Sequence, residues 1–124
     1  MFNRALQHIL LAFLLATSSY ITAQKVKEPK TTTEWEAPYQ PFRIAGNLYY
    51  VGTYDLACYL ITTPQGNILI NTGLATSTAQ IKNNIENLGF KLADTKIILT
   101  TQAHYDHTGD MAAIKKMTGD QIMV

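Results

Sequence analysis

The sequence predicts an α/β (α+β) domain in which helices pack on a β-sheet. Three observations support this: short strand-like runs between residues 42 and 71, a helical period after them, and a strand, loop, helix and strand in that order. Strands that alternate with helices are typical of a sheet with helices packed on it. Two helices are too few to cover such a sheet. We therefore expect the chain to be a C-terminally truncated piece of a larger domain.

The N-terminus, residues 1–23, is predicted to be a secretory signal peptide and not part of the fold. Arg4 gives a positive start, residues 9–16 form a short apolar core, and the small Ala23 suits a cleavage site. A membrane-spanning helix needs roughly 20 apolar residues, so an uncleaved anchor is the weaker alternative. We therefore expect an exported, periplasmic protein that leaves the membrane after cleavage.

Residues 24–41 mix charge, threonine and proline, which predicts an extended arm instead of a packed element. Trp35 and Tyr39 are its only large side chains, and such side chains often dock a tail onto a domain. The domain itself is predicted to begin at residue 42 and to run to residue 124.

Composition excludes some partners. The chain has ten Lys and Arg and nine Asp and Glu, and Arg4 would be removed with the signal peptide. A net charge near zero gives no electrostatic reason to bind nucleic acid or an anionic membrane.

The single cysteine, Cys58, has no disulfide partner within the chain and lies in an apolar run, which favours a small buried hydrophobe over a thiol nucleophile. We expect a monomer.

The first part of the domain, residues 42–71, is predicted to be an antiparallel meander. Its apolar runs are "FRIA", "LYYVGT", "LACYLITT" and "ILIN", divided by Gly46-Asn47, Tyr54-Asp55 and "PQGN". Aromatic and β-branched residues favour strands over helices, and the Gly, Pro and Asn between the runs favour turns.

The segment after the meander switches to a helical period. Ile81, Ile85 and Leu88 share one helical face. Thr76 or Ser77 is expected to cap the start of this helix, and Gly89 to end it. Residues 96–101 are then predicted to be a buried strand, residues 109–117 a second helix with Gly119 just past its end, and residues 121–124 another strand.

The loop "TQAHYDHTGD", residues 101–110, holds three residues of the types that bind catalytic zinc: His104, Asp106 and His107. They follow a strand end, where α/β proteins tend to place their sites. Adjacent Asp106 and His107 can point to one side, so the spacing fits two metals better than one. Helix capping by Asp106 or Thr108 is the alternative, with Asp110 also serving the helix start. Capping does not explain two histidines, so a metal site is favoured.

This loop, directly after "KIILT", resembles the signature loop of the metallo-β-lactamase superfamily, His-x-His-x-Asp-His. Upstream, "GNILINTGL" resembles the superfamily's earlier strand and turn, usually written Asp-x-Gly, with Asn71 in the place of the aspartate. From Trp35 to the end, the chain resembles the third subclass of class B β-lactamases. Gln102, in the first position of the motif, points to the GOB-type group within it.

The resemblance implies an αβ/βα sandwich of which this chain is roughly the first half. It implies that Gln102 and His104 serve a first zinc, and that Asp106 and His107 serve a second. The remaining ligands would be histidines beyond the present chain. Because a neutral amide is a weaker zinc ligand than imidazole, we expect one or two Zn²⁺ ions, with the first site the weaker. Asn71 is expected to support the loop by hydrogen bonds.

The implied reaction is hydrolysis of the β-lactam amide of a small-molecule antibiotic by metal-bound hydroxide, which confers resistance. Asp106 is the implied catalytic residue, because it would orient the nucleophile and could carry a proton. Two alternatives remain: another hydrolase of the superfamily, such as a lactonase or thioester hydrolase, and an inactive exported fragment. No Ser-x-x-Lys stands in a suitable place for a serine β-lactamase. We expect this chain alone to be inactive and to fold poorly.

Overall fold

The computed structural model describes residues 27–123. The predicted signal peptide, residues 1–23, and the first residues of the predicted arm, residues 24–26, lie outside that range. Within residues 27–123 no helix is both long enough and apolar enough to cross a membrane.

Six strands form one mixed sheet, and their order in the sheet is their order in the chain. The first four pair antiparallel, whereas the last two run parallel to the fourth. The strands are β1 (Phe42–Ala45), β2 (Leu48–Tyr50), β3 (Tyr59–Ile61), β4 (Asn67–Ile70), β5 (Thr95–Leu99) and β6 (Gln121–Met123). The structure confirms the predicted meander and the two later strands.

β5 ends two residues before the predicted limit at residue 101. The reason lies in the backbone N–H of Thr101, which donates to the side chain of Asn71 at 3.0 Å and not to a neighbouring strand. The chain therefore leaves the sheet at Thr100 and starts the loop that carries the candidate ligands.

Among residues 27–123, four short helices accompany the sheet: α1 (Thr33–Glu36), α2 (Thr78–Asn87), α3 (Tyr105–Thr108) and α4 (Met111–Thr118). A 3₁₀ turn, Leu92–Asp94, precedes β5. The prediction of one helix over residues 109–117 is wrong at its start, because the Gly109 N–H donates to Gly73 O at 3.0 Å instead of continuing a helical ladder. That bond separates α3 from α4. Gly119 ends α4 in the left-handed conformation, as predicted.

The predicted caps of α2 are only partly right. Ser77, and not Thr76, stands at the N-cap, but its hydroxyl accepts from the Leu74 N–H at 3.0 Å and gives no side-chain cap to the helix itself. Gly89 follows the helix with φ of 86°, a conformation that favours glycine, and so ends it as predicted.

The core lies between one face of the sheet and the helices α2 and α4. Leu60, Leu69 and Ile98 form a fully buried row across β3, β4 and β5. The helices contribute Ile81, Ile85 and Ile114, all fully buried. Burial of each such side chain stabilises the fold by about 1.5–3 kcal/mol. The predicted helical face is therefore confirmed at Ile81 and Ile85, whereas Leu88 is only partly buried.

The opposite face of the sheet is also apolar but only half-buried. Its side chains form rows across β3, β4 and β5: Ile61, Ile68 and Ile97 in one row, and Tyr59, Ile70 and Leu99 in the next. A sheet that is apolar on both faces is typical of layered α/β architectures, in which each face is covered.

The arm before β1 packs against the domain. The Tyr54 N–H donates to Ala37 O at 2.9 Å, and the Thr53 hydroxyl donates to Trp35 O at 2.8 Å. The ring of Tyr39 meets those of Phe42, Tyr50 and Tyr54 edge-on. The prediction of an extended, unpacked arm is thus wrong for the region of α1, while the docking role expected of Trp35 and Tyr39 is confirmed.

Candidate metal centre

The candidate ligand loop lies where two parallel strands end at the same edge of the sheet. β4 leads into the turn of residues 71–74, and β5 leads into the loop of residues 100–110. Because β4 and β5 are adjacent and parallel, their carboxyl ends bring these two segments together. This is the usual position of sites in α/β proteins.

Asn71 is the residue that joins the two segments. Its φ of 61° is left-handed, a conformation that asparagine tolerates better than most residues. Its Oδ1 accepts from both the N–H and the hydroxyl of Thr101, at 3.0 and 3.1 Å, and its Nδ2 faces Ala57 O at 3.4 Å. Asn71 is only 3% exposed. The expectation that it supports the loop by hydrogen bonds is confirmed.

The backbone of the ligand loop is held from both sides. Thr72 donates to His107 O from its N–H at 2.8 Å and from its hydroxyl at 3.1 Å. His104 O accepts from the N–H groups of His107 and Thr108 and from the Thr108 hydroxyl. Thr108 therefore does not cap a helix start, and Asp106 lies in the first turn of α3 with no side-chain cap bond to that helix.

The structure brings the side chains of Asp106 and His107 together. Oδ2 of Asp106 lies 3.3 Å from Nε2 of His107. Two ligand atoms bound to a tetrahedral zinc at about 2.0–2.1 Å are about 3.3–3.4 Å apart. The donor pair therefore fits one zinc ion, and both side chains are only partly buried, so a metal could reach them.

Gln102 lies beside His107, with its amide nitrogen 2.6 Å from Nε2 of that ring. The resemblance had assigned Gln102 to the first metal, with His104, and His107 to the second. The contact therefore lies between an implied ligand of the first metal and an implied ligand of the second. Gln102 and His104 are both exposed. Across residues 27–123, no three His, Cys, Asp or Glu side chains converge as a complete metal site would need.

Asp110 behaves differently from the helix-start residue that the sequence predicted. It stands at the N-cap position of α4, but its carboxylate accepts from the Thr78 hydroxyl at the start of α2 and makes no side-chain cap bond to α4. Burial raises its pKa to about 6; the Thr78 hydrogen bond opposes this shift, and the charge of Glu28 adds to it. Asp110 thus joins two helices behind the ligand loop.

Cys58 is a buried side chain, as predicted. It is 2% exposed, and burial, followed by the charge of Asp110, raises the pKa of its thiol to about 12. A thiol nucleophile must ionise near neutral pH, so Cys58 does not serve as one.

Arm residues also reach the site, and sequence reasoning missed them. The Ala75 N–H donates to Oε1 of Glu28 at 2.9 Å, and the Thr76 hydroxyl donates to Oε1 of Glu36 at 2.9 Å. The ring of Trp35 lies 6.3 Å from that of Tyr105 in the ligand loop. No local signal marks Glu28 or Glu36, because each partner is at least 40 residues away along the chain.

Comparison with known proteins agrees with this fold. The family model described as the metallo-beta-lactamase superfamily matches residues 52–124. The chain therefore belongs to the metallo-β-lactamase superfamily, and the predicted fold class is confirmed. A curated relative, a "UPF0173 metal-dependent hydrolase" of Anaeromyxobacter sp. (strain K), is 35% identical over 71 residues, which are 56% of this chain and 24% of the relative.

Solved structures narrow the similarity to one subclass. The class B3 di-zinc metallo-beta-lactamase LRA-12 from an Alaskan soil metagenome is 73% identical, with a TM-score of 0.78 over 79% of this chain. The metallo-beta-lactamase GOB-18 from Elizabethkingia meningoseptica is 61% identical, with a TM-score of 0.79 over 82% of this chain. The resemblance to the third subclass and to the GOB-type group is confirmed. This chain spans 38% of the length of each of these two structures.

Proposed function

We propose that the protein carrying this chain hydrolyses the amide bond of β-lactam antibiotics with the help of one or two zinc ions. The observation that carries the proposal is the Asp106–His107 donor pair, 3.3 Å apart at the end of β5. The identity of 61–73% to class B3 metallo-beta-lactamases over the same part of the fold supports the substrate class.

The resemblance to the superfamily implies a role for each residue, and the chemistry of each side chain suits that role. Gln102 and His104 would offer neutral donors to one zinc, and Asp106 and His107 would offer a carboxylate and an imidazole to the other. The chemistry expected from bound zinc is polarisation of the amide carbonyl and activation of water near neutral pH. The Asp106 carboxylate would orient the attacking water and could accept its proton.

The direct test is hydrolysis of a chromogenic cephalosporin by the full-length protein, with zinc and with a chelator. We expect turnover that the chelator abolishes. Asp106→Asn should remove it, while Asp55→Asn, a matched change at an exposed aspartate in the turn before β3, should not. No turnover by the zinc-loaded protein would contradict the proposed substrate class.

A second candidate is a metal-dependent hydrolase of another substrate, which the 35% identical curated relative favours. A lactone and a thioester assayed beside the cephalosporin separate the two. Chelator-sensitive turnover of the lactone or thioester alone would replace the β-lactamase proposal, whereas turnover of the cephalosporin alone would support it.

We further propose that the 124-residue chain by itself is inactive and folds poorly. Two observations support this: no three His, Cys, Asp or Glu side chains converge within residues 27–123, and one sheet face is apolar yet only half-buried. The test is purified residues 24–124 with zinc. Chelator-sensitive turnover by this piece would contradict the proposal.

Export to the periplasm and antibiotic resistance complete the proposal. The signal-peptide pattern of residues 1–23 supports export. Export would also bring the protein to its substrates, because β-lactams act on the cell wall, outside the cytoplasm. N-terminal sequencing of the secreted full-length protein should begin at Gln24. Expression in a susceptible periplasmic host should raise the inhibitory concentration of a β-lactam, and deletion of residues 1–23 should cancel that gain. We also propose a monomer that binds no nucleic acid.

A further inference from the structure

We propose that Glu28 of the arm is a positioning residue for the ligand loop, because its carboxylate joins that loop to the segment after β4, residues 71–75. The inference rests on the proposed metal site but not on the proposed substrate. Two contacts of Glu28 carry it, one with Ala75 and one with Gly109. They extend a row of hydrogen bonds that holds the backbone of the candidate metal ligands.

The row consists of three hydrogen bonds between the segment after β4 and the ligand loop. The bonded pairs are, in order, Asn71 with Thr101, Thr72 with His107, and Gly73 with Gly109. Beyond this row the segment makes no further bond to the ligand loop itself. The Leu74 N–H donates to the Ser77 hydroxyl at 3.0 Å, and the Ala75 N–H donates to Glu28 at 2.9 Å.

Glu28 extends the row because its carboxylate touches both segments. Oε1 of Glu28 accepts from the Ala75 N–H at 2.9 Å. A Cβ added to Gly109 would overlap that same oxygen, so the backbone of the ligand loop packs directly against the carboxylate. The absence of a side chain at Gly109 is what allows this close approach. The carboxylate therefore lies between Ala75 and the last residue of the row.

The bond to Ala75 is the attraction that holds the carboxylate in this position. Burial raises the pKa of Asp110 and the charge of Glu28 adds to that shift, so the two carboxylates repel each other. A backbone N–H that donates to a carboxylate, in contrast, makes one of the stronger hydrogen bonds. The arm is anchored separately at Thr53 and Tyr54. Loss of the Glu28 side chain should therefore loosen the ligand loop without releasing the arm.

The first test measures hydrogen exchange of single backbone amides by NMR in the full-length, metal-free protein. Glu28→Ala should speed exchange of the Ala75 and Gly109 amides by about 3–10-fold, the size expected for loss of one exposed hydrogen bond. The Tyr54 amide should keep its rate, because the arm stays docked. Wild-type rates at Ala75 and Gly109 would overturn the proposal, and so would equally faster exchange at Tyr54, since the whole arm would then have been released.

Two further variants test whether the hydrogen bond itself is responsible. Glu28→Gln keeps an acceptor oxygen for the Ala75 N–H and removes the repulsion from Asp110, so it should keep the wild-type exchange rates. Glu34→Ala is the matched control, because it makes the same change at an exposed glutamate of α1. Exchange as fast in either variant as in Glu28→Ala would contradict the role of the bond to Ala75.

Zinc affinity, measured by competition with a chelator, relates Glu28 to the metal site without any turnover. Residues that act on a site through packed contacts typically change binding by roughly 2–30-fold. We expect zinc to bind about 3–10-fold more weakly in Glu28→Ala and normally in Glu28→Gln and Glu34→Ala. Gly109→Ala displaces the carboxylate by itself, so adding Glu28→Ala to it should weaken zinc no further.

Unchanged zinc affinity in Glu28→Ala, or additive losses in the double variant, would overturn the inference, whichever substrate the protein acts on. The exchange measurement needs neither metal nor substrate. Failure of the proposed function would therefore leave the exchange result at Ala75 and Gly109 unaffected, and the two failures can be told apart.

Discussion

Asp110 should make the stability of this protein fall with rising pH, opposite to the usual behaviour of carboxylates. Its folded pKa of about 6 lies above the ordinary aspartate value of 3.8, because burial disfavours the charged form. Between these two pH values Asp110 is protonated more often in the folded chain than in the unfolded chain, so the free energy of unfolding decreases as pH rises. This loss of stability is absent well below pH 3.8 and is complete above about pH 6. Two pKa units at 1.36 kcal/mol each give a total of about 3 kcal/mol.

The assay compares urea unfolding of the full-length, metal-free wild type with that of Asp110→Asn. Of the total penalty, about 2 kcal/mol should develop between about pH 4.5 and pH 7.5, so the wild type should lose that much stability relative to the variant. Asp55→Asn, at an exposed aspartate, serves as the control and should show no such difference. Thr78→Val removes the hydrogen bond that lowers the pKa and should enlarge the effect. A pH-independent difference between wild type and Asp110→Asn would refute the reasoning.

Three further predictions concern the turn, the core and the first metal site. Gly109→Ala should cost about 1–3 kcal/mol in thermal unfolding, because its Cβ would lie 2.7 Å from Ala75 N; unchanged stability would contradict this packing. Cys58 should react with a thiol reagent only in denaturant, because its pKa is about 12 and it is 2% exposed; rapid labelling of the folded protein would show that the site opens. Gln102→His should tighten zinc at the first site, measured by competition with a chelator; unchanged affinity would contradict the weak-ligand hypothesis.

Most of the fold could be predicted, because its signals are local. The turns with Gly, Pro and Asn divide the meander, and Ile81 and Ile85 mark the buried face of α2 by their spacing alone. The break between α3 and α4 could not be predicted in this way. It depends on the bond from Gly109 to Gly73, two residues that the chain separates by 36 positions.

The sequence by itself determined the fold class and the candidate metal ligands. His104, Asp106 and His107 were predicted from residue type and spacing, which are properties of short segments, whereas Gln102 was added by the resemblance to the metallo-β-lactamase superfamily. Only the tertiary structure decided that Gln102 faces His107, that Asp110 is buried against Thr78, and that Asn71 holds Thr101. The physical reason is that a hydrogen bond or a shifted pKa depends on atoms that meet only when β4 and β5 lie side by side and the helices close over them.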